Sequence, residues 1–340
     1  MPQQVLGQVR AAQANFYRVT TREYGELLCT ARARLKKTDQ WVRVGDQVWV
    51  EEIDPASQRG AIREILPRRS ALDHPPIANV DQLLLVLSLA EPELEIHHLS
   101  RFLVKAESTG LPFILALNKA DLCDPIQIGF WQEKLQAWGY QPIIISNNIG
   151  QNIPKLLAHL AHKITVITGP SGVGKSSLIN TLTTGSDLAT GAVAQRTGRG
   201  RHTTRHIELL PLNHGGMIAD TPGFNQPNLD IKPTELSRCF PEIYQQNVTC
   251  EFANCSHRNE PGCGVNRDWE RYEHYLQWWQ ELQELADSKQ TQGRCDVGVK
   301  YKQDSMGNRR SEPKLARHKY RNLSRRRQHQ ELDLLTADDD

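Results

Sequence analysis

The chain has 340 residues, 39% of them hydrophobic and 24% charged, with a formal net charge of +2. That length exceeds one ordinary core and predicts two or three domains. The apolar run from Leu83 to Leu89 is far too short to cross a bilayer, so no membrane span is expected.

The opening residues Met1-Pro2-Gln3-Gln4 lack a basic region followed by an apolar stretch, so no export signal is expected. The seven cysteines are therefore assigned to a reducing, cytoplasmic setting. Residues 1–72 show short alternating segments at Leu6–Val9, Phe16–Val19, Gly25–Thr30, Trp41–Val50 and Gly60–Ile65. Five such runs with turn residues between them predict a small antiparallel barrel. The turn Val44-Gly45-Asp46, set directly before a strand, favours an OB-type barrel, although an SH3-like barrel gives a similar pattern. Twelve Lys/Arg against eight acids in residues 1–70 suit an RNA-binding surface and equally an ordinary wet one.

After Pro75-Pro76 the rhythm changes to alternating strand and helix. Strands are predicted at Asp81–Leu89, Pro112–Leu117, Pro142–Ser146 and Ile164–Thr168, with helices at Glu93–Thr109, Phe130–Trp138 and Ile153–His162 between them. The loops are short, so the strands should be parallel, with helices on both faces of one sheet. Asn118-Lys119-Ala120-Asp121 ends the strand Pro112–Leu117. A carboxylate at Asp121 can accept from both N1–H and the exocyclic amine of guanine, while adenine offers neither donor there. Asn118 would fix the loop and reach the purine N7, and the Lys119 stem would cover the ring. Ser146-Asn147-Asn148 stands where a backbone N–H would meet the guanine O6.

Between the strand Ile164–Thr168 and a helix predicted at Ser176–Leu182 lies Gly169-Pro170-Ser171-Gly172-Val173-Gly174-Lys175-Ser176, a full GxxxxGK[ST] match. Glycines let backbone N–H groups converge on the β-phosphate, and the helix N-terminus adds partial positive charge. Lys175 would bridge the β- and γ-phosphates, the Ser176 hydroxyl would ligate Mg²⁺, and Ser177 completes the nucleotide-binding set. Asp220-Thr221-Pro222-Gly223 ends the strand Met217–Ala219. Asp220 would hold Mg²⁺ through water and the Gly223 N–H would sense the γ-phosphate. In the basic loop Gly198–Arg205, Thr203 or Thr204 would complete the Mg²⁺ shell.

Strands are expected to stop at Pro233, giving way to a Cys/His cluster, a Trp-rich helix at Asp268–Asp287 and a basic tail. Cys250, Cys255, His257 and Cys263 supply three thiolates and one imidazole, a closed tetrahedral set for one structural Zn²⁺ with no position left for catalytic water. Residues 294–327 hold twelve Lys/Arg against three acids, the make-up of a polyanion-binding arm or of a charged solubilising tail.

The base-reading loop and the serine loop precede the P-loop, the threonine loop and Asp220–Gly223, whereas ordinary small GTPases run in the other order. This permuted series, between an N-terminal barrel and a C-terminal Cys/His cluster, resembles the RsgA (YjeQ) family of circularly permuted GTPases over nearly the whole chain. The resemblance implies an OB-type barrel (1–72), a permuted α/β P-loop GTPase domain (73–232), a zinc-binding helical element (233–293) and a basic, partly disordered tail (294–340). It further implies a cytoplasmic GTPase that binds the small ribosomal subunit and 16S rRNA, assists late maturation of that subunit, and hydrolyses GTP to GDP slowly until the subunit stimulates it. A monomer is expected. Phe224 follows Gly223 where many GTPases carry the glutamine that orients water, so His202 is assigned either to positioning that water or to RNA alone. The rival readings are a P-loop ATPase, which Asn118 and Asp121 oppose, and an RNA-binding scaffold with a structural nucleotide, which Lys175, Ser176 and Asp220 oppose.

Overall fold

Alternation builds the first layer. In β1 (Val5–Gln13) the odd-numbered Val5, Gly7, Val9 and Ala11 are buried. The same period places Tyr17 and Val19 of β2 (Phe16–Thr21) and Leu27 and Cys29 of β3 (Gly25–Ala31) in one core. A short helix α1 (Ala33–Lys37) then leads to β4 (Gln47–Asp54) and β5 (Arg59–Ile65). The strand order is β1-β2-β3-β5-β4, and β4 returns to pair with β1, Val5 standing opposite Val50. The β3–β5 pairing is parallel while the other barrel pairs are antiparallel, the closed five-stranded order of an OB barrel.

The structure is a computed structural model that describes residues 4–37, 41–73, 75–183, 207–220, 227–244, 246, 250–295, 299–303 and 309–313. It forms two compact units, Met1–Leu276 and Gln277–Asp340. In the first, the pair β6 (Ala71–Leu72) and β7 (Ile77–Ala78) leads out of the barrel. Strand and helix then alternate: β8 (Gln82–Ser88), α2 (Ile96–Glu107), β9 (Phe113–Asn118), α3 (Pro125–Ala137), β10 (Ile143–Ile144), α4 (Ile153–Leu160), β11 (Ile164–Thr168) and α5 (Lys175–Leu182). All seven residues of β8 are buried, as a strand covered on both faces must be. Leu83, Leu85 and Leu87 meet Leu99, Phe102 and Leu103 of α2 on one face. Leu84 and Val86 meet Leu156 and Leu160 of α4 and Leu178 and Leu182 of α5 on the other.

The predicted series β8, β9, β10 and β11 pairs in parallel throughout; beyond it, β12 (Glu208–Pro211) runs antiparallel to β13 (Met217–Asp220). A tight turn in which Leu212 N donates to Gly216 O (3.1 Å) joins them, so no crossover helix is required. β12 also pairs with β1 at Ala11–Glu208, and Arg10 Nε donates to Leu209 O at 2.8 Å. Among the described residues one eleven-stranded sheet therefore runs from β10 through the parallel layer into the barrel.

α3 begins at Pro125, five residues before the expected Phe130, because Asp124 caps it. Gln127 N donates to Asp124 Oδ1 at 2.8 Å, Asp124 N donates back to Gln127 Oε1 at 3.3 Å, and proline suits the first helical position. Beyond β13 come a 3₁₀ turn at Pro233–Cys239, the short α6 (Pro241–Tyr244) and α7 (Tyr272–Cys295), which starts later and runs further than Asp268–Asp287. Strands do not stop at Pro233. The second unit contains an antiparallel hairpin of β14 (Val299–Gln303) and β15 (Arg309–Pro313), with Val299 opposite Pro313. Val299 and Tyr301 alternate with Lys300 and Lys302, a period-two pattern that the overall basic composition hides.

Candidate active site and metal cluster

The carboxyl ends of the parallel strands converge on one edge of the sheet, where α/β folds place their ligands. Ser88 stands opposite Asn118, Thr168 opposite Leu85, and Ile167 opposite Asp220. From Thr168 the chain turns through Gly169 at φ 139°, so close to the neighbouring strand that a Cβ there would lie 2.0 Å from Val86 O. Only glycine fits that passage. α5 follows, with Gly174 (φ 94°) as its N-cap and no side-chain cap, which leaves first-turn N–H groups available to an anion. The Lys175 ammonium is buried and donates to Gly169 O at 2.8 Å and to Pro170 O. Burial lowers its pKa, and the charge of Asp220 opposes that shift.

Asn118 joins the loops. Its Nδ2 donates to Val173 O at 2.8 Å and its Oδ1 accepts from Asn147 N at 3.2 Å, so one buried amide ties the Asn118–Asp121 loop to both the P-loop and the serine loop. A Cβ on Gly174 would lie 2.6 Å from that Nδ2, so glycine is required there also. Lys119 adopts φ 63° and donates its ammonium to Glu91 O. Asp121 is exposed, accepting from Ser146 Oγ at Oδ1 and from Asn148 Nδ2 at Oδ2 (3.2 Å). The Ser146 hydroxyl is the main cause of a lowered Asp121 pKa; burial opposes it and Asn148 adds to it.

Ser176 lies in the first turn of α5, and Ser177 follows it. Asp220 closes β13. His202, Thr203, Thr204 and Gly223 lie outside the described residues.

A second constellation forms around the Cys/His loop. One ligand atom from each of Cys250, Cys255, His257 and Cys263 falls within 4.8 Å of all the others. Cys250 Sγ is 3.5 Å from His257 Nδ1 and 4.0 Å from Cys263 Sγ, and Cys263 Sγ is 3.8 Å from the same nitrogen. A tetrahedron with metal–sulfur bonds of about 2.3 Å has edges of roughly 3.8 Å, so the four residues could hold a metal ion. Burial lowers the pKa of His257, favouring the neutral ring a metal needs, and pushes the Cys255 thiol up to about 12, a cost that a cation's charge would offset. Glu260 organises the loop: Oε1 accepts from Ser256 N at 3.0 Å and from its hydroxyl, while Oε2 accepts from Arg258 N and Asn259 N. Burial alone would raise the Glu260 pKa, but these bonds outweigh it and hold the value at about 2. Tyr272 and Tyr275 donate their hydroxyls to carbonyls of Ser256, His257 and Arg258.

Residues 65–230 match the domain family described as RsgA GTPase. The small ribosomal subunit biogenesis GTPase RsgA 1 of a Nostoc strain is 48% identical, covering 99% of this chain and 98% of its own. The chain belongs to the RsgA GTPase family. A Thermosynechococcus vestitus member, also named for small ribosomal subunit biogenesis, is 49% identical over 97% of this chain and 96% of its own. Among solved structures, YjeQ from Thermotoga maritima superposes with a TM-score of 0.70 at 32% identity, over 82% of this chain and 99% of that one. YloQ, described as a circularly permuted GTPase, gives 0.68 at 30% identity, over 83% and 96%.

As an RsgA GTPase the chain is a hydrolase acting on GTP, with its motifs in permuted order, and Mg²⁺ is the cation that activity implies. The geometry adds participants that motif reading missed in this RsgA chain. Glu91 carried no motif, since it acts through its backbone carbonyl, and Asn148, read only as part of the serine loop, gave no sign that its side chain reaches Asp121. Glu260 was legible only as an acid beside the last cysteine. Arg271 gave no signal at all. It is fully buried, donates from Nε and Nη2 to both oxygens of Glu242 (2.8 and 2.6 Å), and lies 4.8 Å from the Trp138 ring centre and 4.9 Å from that of Phe240.

Proposed function

We propose that this GTPase binds the small ribosomal subunit through 16S rRNA, assists its late maturation as a cytoplasmic monomer, and hydrolyses GTP slowly until the subunit stimulates it. Relatives over essentially the full length are named for small ribosomal subunit biogenesis. The barrel's excess of basic residues and the basic segment 294–327 suit a phosphate-rich partner. The site reading rests on one observation above the rest: Asn118 ties Asp121's loop to the P-loop, so that base recognition and phosphate binding belong to one pocket.

In this reading Asn118, Lys119, Asp121, Ser146 and Asn147 hold guanine. Gly169 to Ser177 hold the phosphates, with Lys175 at the β- and γ-oxygens. Ser176, Asp220 and one of Thr203 or Thr204 hold Mg²⁺, which supplies charge neutralisation at the phosphates. Gly223 senses the γ-phosphate, and His202 positions the water that Phe224 cannot. Zn²⁺ is the ion that three thiolates and one imidazole select. It staples a loop with little core of its own, the segment 233–293 forming the zinc-binding element beside the barrel (1–72) and the GTPase domain (73–232).

The test is multiple-turnover phosphate release with and without small subunits, alongside nucleotide competition. GTP should displace labelled GDP where ATP does not, and subunits should raise turnover at least tenfold. Asp121→Asn should move preference toward xanthosine nucleotides by roughly a hundredfold or more, the scale of a mismatched hydrogen-bond pattern at the purine edge. ATP competing as well as GTP, or turnover indifferent to subunits, would refute the reading.

A further inference from the structure

The geometry points to Asn148 as a positioning residue for guanine selectivity, acting through the carboxylate of Asp121. The inference rests on the reading of Asp121 as the group that meets the purine edge. An exposed carboxylate rotates about its last torsion in a broad, shallow well, and bidentate recognition requires both oxygens to lie in the plane of the base. Here each oxygen has its own donor: Ser146 Oγ on Oδ1 and Asn148 Nδ2, at 3.2 Å, on Oδ2. Two donors on opposite oxygens fix the plane, where either alone would leave a pivot.

The donors themselves are held differently. Ser146 is wholly buried at the end of β10, its N donating to Gln151 O at 3.2 Å. Asn148 is exposed and has no part in the core. A carboxylate offers about four acceptor sites, so after these two bonds each oxygen retains one, matching one guanine donor apiece. Inosine diphosphate has the N1–H but no exocyclic amine, makes one bond to the carboxylate, and gains less from its being held flat.

The experiment measures GDP and inosine diphosphate affinities by calorimetry for the full-length protein, Asn148→Ala and Asn148→Asp. Asn148→Ala should weaken GDP about fivefold, the scale of one ordinary hydrogen bond net of its exchange with water, and inosine diphosphate by at most about half that factor, so that the preference for guanine falls. Asn148→Asp keeps the shape, loses the donor and faces Asp121 with a like charge, so it should weaken GDP at least as much. Urea midpoints without nucleotide should match the parent. A parent that prefers GDP to inosine diphosphate with an unchanged ratio in Asn148→Ala overturns this inference alone. A parent with no such preference overturns the reading of Asp121 as well. Full GDP affinity in Asn148→Asp, or losses that follow a lowered urea midpoint equally for both nucleotides, also overturns it.

Discussion

The Ser146 hydroxyl has a consequence for pH. It bonds the ionised form of Asp121 and holds that pKa below the ordinary carboxylate value. A depressed pKa means that the charged form, and with it the proposed guanine contact, persists down through the usual carboxylate range and is lost only as pH falls through the lowered value. Ser146→Ala should therefore move the acid limb of GDP binding to higher pH, a shift visible in affinities measured from neutral pH downward. An acid limb at the parent's position would show that the hydroxyl does not govern this carboxylate. At this scale the sequence disclosed those residues whose chemistry is bound to a spacing, such as Lys175, Asp121 and the four metal-cluster residues. It concealed the contacts of Asn148, Glu91 and Glu260, because a lone amide, a carbonyl and an acid in a loop look the same whether or not they meet a partner.

Between elements, the chief joint of the C-terminal segment is the pair Glu270-Arg271, seated against α2 and α3. Glu270 accepts from Trp138 Nε1 at 3.0 Å and from Lys134, while Arg271 Nη1 reaches Ser100 Oγ at 3.5 Å. Burial would lower the Arg271 pKa, but its bidentate donation to Glu242, with Tyr140 adding to it, outweighs burial and raises the value. Glu242→Ala removes the hydrogen-bonded carboxylate of a buried guanidinium and should cost about 3–5 kcal/mol, read as a lower urea midpoint. Glu242→Leu with Arg271→Leu removes both charges and should cost less than the single change. The reverse order would mean that solvent reaches the site and screens it. No pattern in the sequence announced this joint, since an arginine before a helix ordinarily stays on the surface. The helices of the parallel layer, by contrast, were legible from apolar periodicity. The early start of α3 was also legible in Asp124-Pro125-Ile126-Gln127, where a capping signal outranks the aromatic residues that follow.

Across the whole molecule, the permuted order lets the chain leave β13 for the metal loop through fewer than thirty residues, 221–249. Arg101 of α2 donates to Pro227 O at 2.9 Å, and Ser100 beside it accepts from Arg271, so α2 touches the chain on both sides of the metal loop. The nucleotide pocket, however, is built from the ends of β8, β9, β11 and β13 and shares no residue with the metal loop. Sequence patterning foresaw barrel, parallel layer and cluster as separate pieces. It did not foresee that β12 joins the first two into one sheet, because a single cross-strand pair at Ala11 and Glu208 leaves no periodic trace. Removal of the cluster's ion should accordingly act at a distance from GTP. Cys255→Ala or His257→Ala deletes one of the four cluster residues and loosens a loop whose other ties include Glu260 and the hydroxyls of Tyr272 and Tyr275. Binding to the small subunit and the turnover it stimulates should fall at least tenfold, while GDP affinity stays within about twofold, since structural sites of this kind contribute on the order of 10 kcal/mol to local order and nothing to a pocket they do not touch. Sedimentation with purified subunits beside nucleotide titration measures both. Equal losses would mean that order in the metal loop reaches the guanine pocket through α2.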